Sequence, residues 1–253
     1  MTWRRPAPQN VTAGHTAFDQ VERLRMVERR RLIGVYVVFA AAASFVLAPL
    51  LAIAYFATSE GAKYLEQGTV SAWAEPGRDA VGGLVTFASA ETVYSTYVIV
   101  LALLMPAIPL CAGVTRRLRP DHASAAERWG WRLALPGYVL LVLGLLLVGV
   151  LLLVAGAEAT VVNVAFVALV LPGLLLSVIG STVLGIALLR AGYRPRLTPW
   201  LLALAIPLWI LGSVVLGHNG LGLVPLLVAW AATGWRLWRG NGAAAPAGQP
   251  SAG

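Results

Sequence analysis

Few side chains in this chain can bind a metal, attack a substrate or move a proton. Histidine titrates near neutral pH and ligates metals through either ring nitrogen. It occurs three times, as His15, His122 and His218. The single cysteine, Cys111, sits in an apolar run with no second thiol for a disulfide or a structural zinc site. The sequence has no Gly-x-Ser-x-Gly, no His-Glu-x-x-His, no phosphate-binding loop and no dinucleotide fingerprint. It therefore points to no catalytic residue, no metal and no cofactor.

Only one polar grouping has a geometric reason to assemble. If the apolar segments described below cross a bilayer in turn, Glu91, Glu158, Asn163, His218 and Asn219 all fall at the outer ends of helices. A histidine with two carboxylates can hold a divalent cation or relay a proton. The same residues also read as loop chemistry, because Gly-His-Asn-Gly at 217–220 is a turn in itself.

Two further patterns lie inside apolar segments. Tyr94, Ser95, Thr96 and Tyr97 open one segment that also contains Pro106 and Pro109. Proline frees a backbone carbonyl and kinks a helix, and such helices line substrate paths in transporters. Tyr94, Ser95, Tyr97, Pro106 and Pro109 are thus candidate cavity residues. Pro49, Pro172, Pro207 and Pro225 fall in other apolar segments. Gly173, Ser177, Ser181 and Gly185 recur every four residues, a smooth stripe that lets another helix approach closely. That helix belongs either to the same bundle or to a second copy in a homodimer. Ala40, Ser44, Ala48 and Ala52 repeat the pattern more weakly.

The elements that must position these residues follow from composition. The hydrophobic fraction is 58% and the charged fraction 12%, whereas soluble domains are about a quarter charged. So little polar surface cannot cover a soluble globule, and lipid must solvate much of the chain. A membrane-crossing helix needs roughly 20 apolar residues. Six segments qualify or come close: 32–57, 92–115, 133–157, 161–189, 197–216 and 221–235. None contains an ionisable side chain, which counts against an ion-coupled carrier. The last is short, so 197–235 reads either as two spans or as a re-entrant hairpin.

Of the 19 basic residues, all but Lys63 and Arg78 lie in the N-terminal segment, the loops after the second and fourth segments, and the tail. Basic loops stay in the cytoplasm. The expected fold is therefore an all-α, polytopic bundle of six spans with both termini inside, in the plasma membrane. Trp129, Trp131, Trp200, Trp235 and Trp238 fall at the cytoplasmic ends, where indoles settle among headgroups. The net charge of +8 is then a topology signal and not a nucleic-acid one. The excess of arginine over lysine reflects a GC-rich genome.

Residues 1–31 form a cytoplasmic segment ahead of the transmembrane domain at 32–239. Thr16-x-x-Asp19 fits a capping box, and Phe18, Val21, Leu24 and Val27 recur at helical spacing among arginines. This helix either lies on anionic lipid or extends the first span. Residues 240–253 are rich in Gly, Ala and Pro and are expected to be disordered. Residues 58–91 form the one sizeable outer loop.

On sequence alone, the expected function is a non-enzymatic accessory, structural or regulatory membrane subunit. The alternatives are a permease for a neutral or lipophilic substrate and, third, a membrane-embedded enzyme acting on lipid. The expected partners are the bilayer itself, another membrane protein or a second copy.

Overall fold

The computed structural model describes residues 12–119, 124–156 and 159–240. Every regular element among them is helical. In chain order these are α1 (Thr12–Phe56), α2 (Gly68–Val85), α3 (Ala90–Leu104), α4 (Ala107–Arg117), α5 (Ala125–Ala155), α6 (Thr160–Ala165), α7 (Leu171–Arg190), α8 (Leu197–Ala203), α9 (Ala205–Ile210) and α10 (Asn219–Trp238). A 3-10 turn at Gly61–Glu66 and π-turns at Phe166–Val170 and Leu211–Val215 complete the set.

Local chemistry explains the boundaries. Ser89 caps α3 by accepting from the Thr92 amide, and Ser124 caps α5 by accepting from the Glu127 amide. α5 then runs through 31 residues, interrupted by no glycine turn until Gly156, which takes φ +81°. Proline punctuates the rest. The chain turns at Met105–Pro106 between α3 and α4, and Pro172 opens α7 directly after a π-turn. Pro136 inside α5 and Pro199 inside α8 join the prolines expected from sequence.

Five helical stretches are long and apolar enough to cross a membrane: Leu24–Phe56, Ala90–Arg117, Ala125–Ala155, Thr160–Arg190 and Asn219–Trp238. A sixth is present if Leu197–Ala203 and Ala205–Val215, bent by 67° at their junction, count as one span. The sequence placed its weakest span last. In the structure α10 is an unbroken helix of 20 residues, and the irregular column is the fifth. The break falls at Leu204, one turn before Pro207, whose missing N–H leaves the Ala203 carbonyl without its helical partner.

α1 is one continuous helix of 45 residues. The segment ahead of the first span therefore extends it, the second of the two expected arrangements, and the helix starts at Thr12, before the expected cap at Thr16. Leu24, Met26 and Val27 are exposed along it; the side chains of Phe18 and Val21 fall outside the described residues. So do residues 1–11 and 241–253, including the tail expected to be disordered, together with His122 and Glu158. The outer loop is mostly helical. α2 packs on the end of α1, with Trp73 against Phe56 at 5.7 Å between ring centroids.

The six columns close into a ring in chain order. α1 packs on α3, α3 on α5, α5 on α7, α7 on α8, α8 on α10, and α10 back on α1. Close approach needs small residues at the crossings. A Cβ on Gly34 of α1 would sit 2.5 Å from the Gly234 carbonyl oxygen of α10. A Cβ on Gly180 of α7 would sit 2.3 Å from the Ala134 nitrogen of α5. The stripe of Gly173, Ser177, Ser181 and Gly185 is thus spent inside the chain. Gly173 meets Leu141, Gly137 meets Ser177, Ser181 pairs with Tyr138, and Gly185 meets Ala203. That face is covered and is not available to a second copy. The outward faces carry Phe39, Phe45, Leu143, Leu153, Val164, Ile179 and Ile210, all well exposed.

This packing predicts a sharp contrast between two glycines. Gly180→Leu should destabilise the chain by about 3 kcal/mol or more, because backbone stands where the side chain must go. Gly113→Leu, which meets open space, should change stability by less than about 0.5 kcal/mol. Thermal unfolding in detergent compares the two directly.

Candidate functional site

The lumen of the ring differs between its two ends. At the end carrying the arginine-rich loops it is filled. Trp230 of α10 is fully buried there and stacks within 6.0 Å of Trp131 and 6.2 Å of Tyr138 between ring centroids. Its indole N–H donates to the Tyr138 hydroxyl at 3.3 Å, and Tyr138 is in turn hydrogen-bonded to Ser181. The Cys111 thiol donates to the Trp230 carbonyl at 3.5 Å. α4 packs on α10 across the ring at this level. Met105 and Ile108 complete the plug.

An ion pair locks the same end. Arg119 holds Glu127 through two bonds, Nε to Oε1 at 2.8 Å and Nη2 to Oε2 at 2.9 Å. Trp131 Nε1 adds a third at 3.3 Å. Glu127 is 1% exposed, and a buried carboxylate is tolerable only when paired in this way. The Glu127 carboxylate, hydrogen-bonded to Arg119, holds the guanidinium above its usual range, against the opposing effect of burial. Tyr193, Arg194 and Arg236 surround Arg119. The loop after α4, the loop after α7 and the end of α10 therefore converge at one end of the ring.

The other half of the lumen is open. A pit of 420 Å³ is lined from every column, by Leu51 and Tyr55, Val98 and Leu101, Leu141 and Leu145, Val170 and Leu174, Trp209 and Ser213, and His218, Asn219, Gly220 and Leu223. Leu141 and Leu174 lie at the middle of the stretches Ala125–Ala155 and Thr160–Arg190. The pit thus reaches halfway down the bundle. Above it lies a wider mouth of 790 Å³, lined by Thr58, Ser59, Glu60, Glu91, Gly156 and Asn163 among others. Pit and mouth share Tyr55, Tyr94, Val148 and Phe166.

An aromatic collar divides the two. Tyr55 stands 5.3 Å from Tyr94, 5.2 Å from His218 and 5.8 Å from Tyr64 between ring centroids. Gly217, at φ +77°, turns the chain so that His218 faces inward as the cap of α10. Its Nδ1 accepts the Gly220 amide at 3.0 Å, which leaves the ring proton on Nε2. Burial drives the His218 pKa down to about 4, so the imidazole is neutral at physiological pH.

Two polar atoms in the wall of the pit are unsatisfied. Trp209 Nε1 and Ser213 Oγ are buried without a hydrogen-bond partner. They flank Gly222, where a Cβ would sit 2.7 Å from Trp209 and 3.0 Å from Ser213. An orphaned group of this kind costs about 1–3 kcal/mol. Both lie at or beside the π-turn Leu211–Val215, and π-turns concentrate at functional sites.

The expected outer cluster divides between pit and mouth. Glu91 and Asn163 line the mouth, and His218 and Asn219 line the pit. Glu158 lies outside the described residues. Among the described residues, no three His, Cys, Asp or Glu side chains come together in a way that can hold a metal. Of the expected cavity residues, Tyr94 lines both compartments. Ser95 instead donates to the Glu91 carbonyl, and Tyr97 to the Leu84 carbonyl at 2.9 Å, tying α3 to α2. Pro106 and Pro109 open α4 beside the plug and line neither compartment. Sequence reasoning did not find Tyr55, Tyr64, Phe166, Trp209 or Ser213. Only the ring closure brings them together. The buried Glu127 carried a signal in Ser124-x-x-Glu127, the pattern of a helix cap.

The fold and the site together define a multi-pass helical membrane protein enclosing a one-sided cavity. No protein-family model, no curated protein and no solved structure matches the chain.

His218 makes this end of the bundle sensitive to acid. Its folded pKa lies below the usual value of 6.5, so its contribution to stability is complete above that value. The contribution is lost as pH falls from about 6.5 to 4, by on the order of 3 kcal/mol. The melting temperature should drop over this window, and His218→Asn should flatten most of the drop.

Proposed function

We propose that the chain is a six-span plasma-membrane protein with both termini in the cytoplasm. It binds a small neutral or lipophilic molecule in the pit and acts as a permease, or a permease subunit, for it. The observation that carries this reading is the asymmetry of the lumen. One half is a hydrogen-bonded plug, and the other is an apolar pit with a polar mouth that reaches mid-span. A purely structural bundle gains nothing from an empty half, because voids forfeit packing at every wall. A carrier needs a site open to one side and shut to the other.

Topology supports the direction. The arginines of three connecting segments gather at the plugged end, which places that end in the cytoplasm by the positive-inside rule. The mouth then faces outward. Anionic lipid at the cytoplasmic face is the partner suited to the arginine-rich end.

The lining defines the ligand. Apolar side chains dominate the pit, His218 is neutral, and neither Lys nor Arg lines pit or mouth. An uncharged, mostly apolar molecule fits this chamber, and a pit of this volume lies within the usual range for ligand sites. A hydrogen-bond acceptor on the ligand would relieve Trp209 or Ser213 after a small rotation. The reading of a lipid-modifying enzyme has less support. The collar offers one imidazole, its Nδ1 already occupied, and the mouth carboxylates Glu60 and Glu91 are exposed. The accessory-subunit reading, first on sequence grounds, yields because it gives the pit no role.

Ligand-induced stabilisation tests the proposal in nanodiscs. A saturating uncharged probe such as decanol should raise the melting temperature. Mass action gives about 2.7 kcal/mol at a hundredfold excess over the dissociation constant. Leu145→Trp, which fills the pit, should abolish the shift. Leu147→Trp, on the exposed side of the same helix, should preserve it. An equal shift in both variants would show that decanol acts through the bilayer and would refute the site.

A further inference from the structure

We propose that the pit exchanges its occupant sideways with the membrane, through a gap between the fourth and fifth columns. The occupant is then a single-chain amphiphile with an uncharged head, dissolved in the bilayer. This inference rests on the binding reading above and specifies its ligand and route.

The gap follows from how the ring is closed. Packed contacts between the fourth and fifth columns run through α7 against α8 and α9. At the level of the pit each of these columns carries a π-turn, Phe166–Val170 in one and Leu211–Val215 in the other. The first packs on α5 and the second on α10. The other neighbouring columns of the ring are each joined by packed contacts.

Val214 marks the rim. It lines the pit, yet 63% of its surface is exposed. The same side chain therefore touches the lumen and the outer face of the bundle. Val167 and Leu211, on the two π-turns, are themselves half exposed. This rim is apolar, so an alkyl chain can cross it without stripping water from any polar group.

The compartments match the two ends of an amphiphile. The pit takes an apolar chain, and the mouth offers Ser59, Thr58 and Asn163 to a polar head. Glu60 and Glu91 in that mouth repel an anionic head. A molecule that partitions into the membrane reaches the gap by lateral diffusion, and its head need never leave the interface.

Photolabelling of the full chain in phosphatidylcholine vesicles tests the route. The probe is a fatty alcohol with a diazirine in its chain, and labelled residues are mapped by peptide mass spectrometry. Leu145 and Leu174 face the pit, while Leu147 and Ile179 face lipid. We expect labelling at both sets in the native sequence. Val214→Trp should reduce labelling of Leu145 and Leu174 by about tenfold, as an indole occupies the gap a valine leaves open. Leu147 labelling should be unchanged, and a melting temperature equal to that of the native chain shows that the variant is folded. Val214→Ala should label the pit at least as strongly as the native chain. Val154→Trp, an exposed site away from the gap, should have no effect.

Pit labelling that is equal in Val214→Trp and the native chain overturns the lateral route. If decanol still stabilises the protein, only the route is wrong and the ligand enters by the mouth. Absence of both pit labelling and stabilisation removes the binding reading as well.

Discussion

In hydrocarbon, apolar side chains gain nothing by leaving lipid for another helix. Helices associate there only where their surfaces interlock closely enough for dispersion and hydrogen bonds to accumulate. The structure depends on a few such crossings. Gly34 admits the backbone of α10, and Gly173 and Gly180 admit the backbone of α5. Gly212 comes within 2.4 Å, at its would-be Cβ, of the Gly222 nitrogen. These contacts pull first and last helices together and make the ring.

A closed ring of six columns has a centre that must be filled or left open. Side-chain volume decides which. Where Trp230, Tyr138, Trp131, Met105 and Ile108 point inward, the centre is solid and its polar atoms are paired. Half a helix length away, inward positions such as Val98, Ala102, Val148 and Gly220 are small, and the larger Tyr55, Tyr94, Phe166 and Trp209 stand in the wall around the pit. The two π-turns lie in that same half. The arginines, the buried Glu127 and the plug share one end; the tyrosines, the neutral histidine and the pit share the other. The arginines thus mark the closed end of the lumen, and the pit opens at the other.

Much of this was legible in the sequence. Hydropathy located the helical columns. Alternation of the spans brought Glu91, Asn163 and His218 to one end of the bundle, where the first two line the mouth and the third lines the pit. Other features were not legible. Pro207 announced a kink, but that it bends the fifth column by 67° while Pro225 leaves α10 unbroken depends on packing. The pit wall combines Tyr55, Tyr94, Phe166 and Trp209 from four columns, so it exists only once ring order is known. The stripe on α7 meets α5 and Ala203, and the choice between those partners and a second copy depends on tertiary placement.

The lumen is open at one end and sealed at the other. Hydroxyl-radical footprinting of the chain in nanodiscs reads this directly, since tyrosine and tryptophan report water at their own rings. Tyr55, Tyr64 and Tyr94 should be oxidised readily, while Tyr138 and Trp230 stay protected until the protein is denatured. Equal protection of all five rings, or oxidation of Tyr138 and Trp230 at the rate of the collar tyrosines, would contradict it.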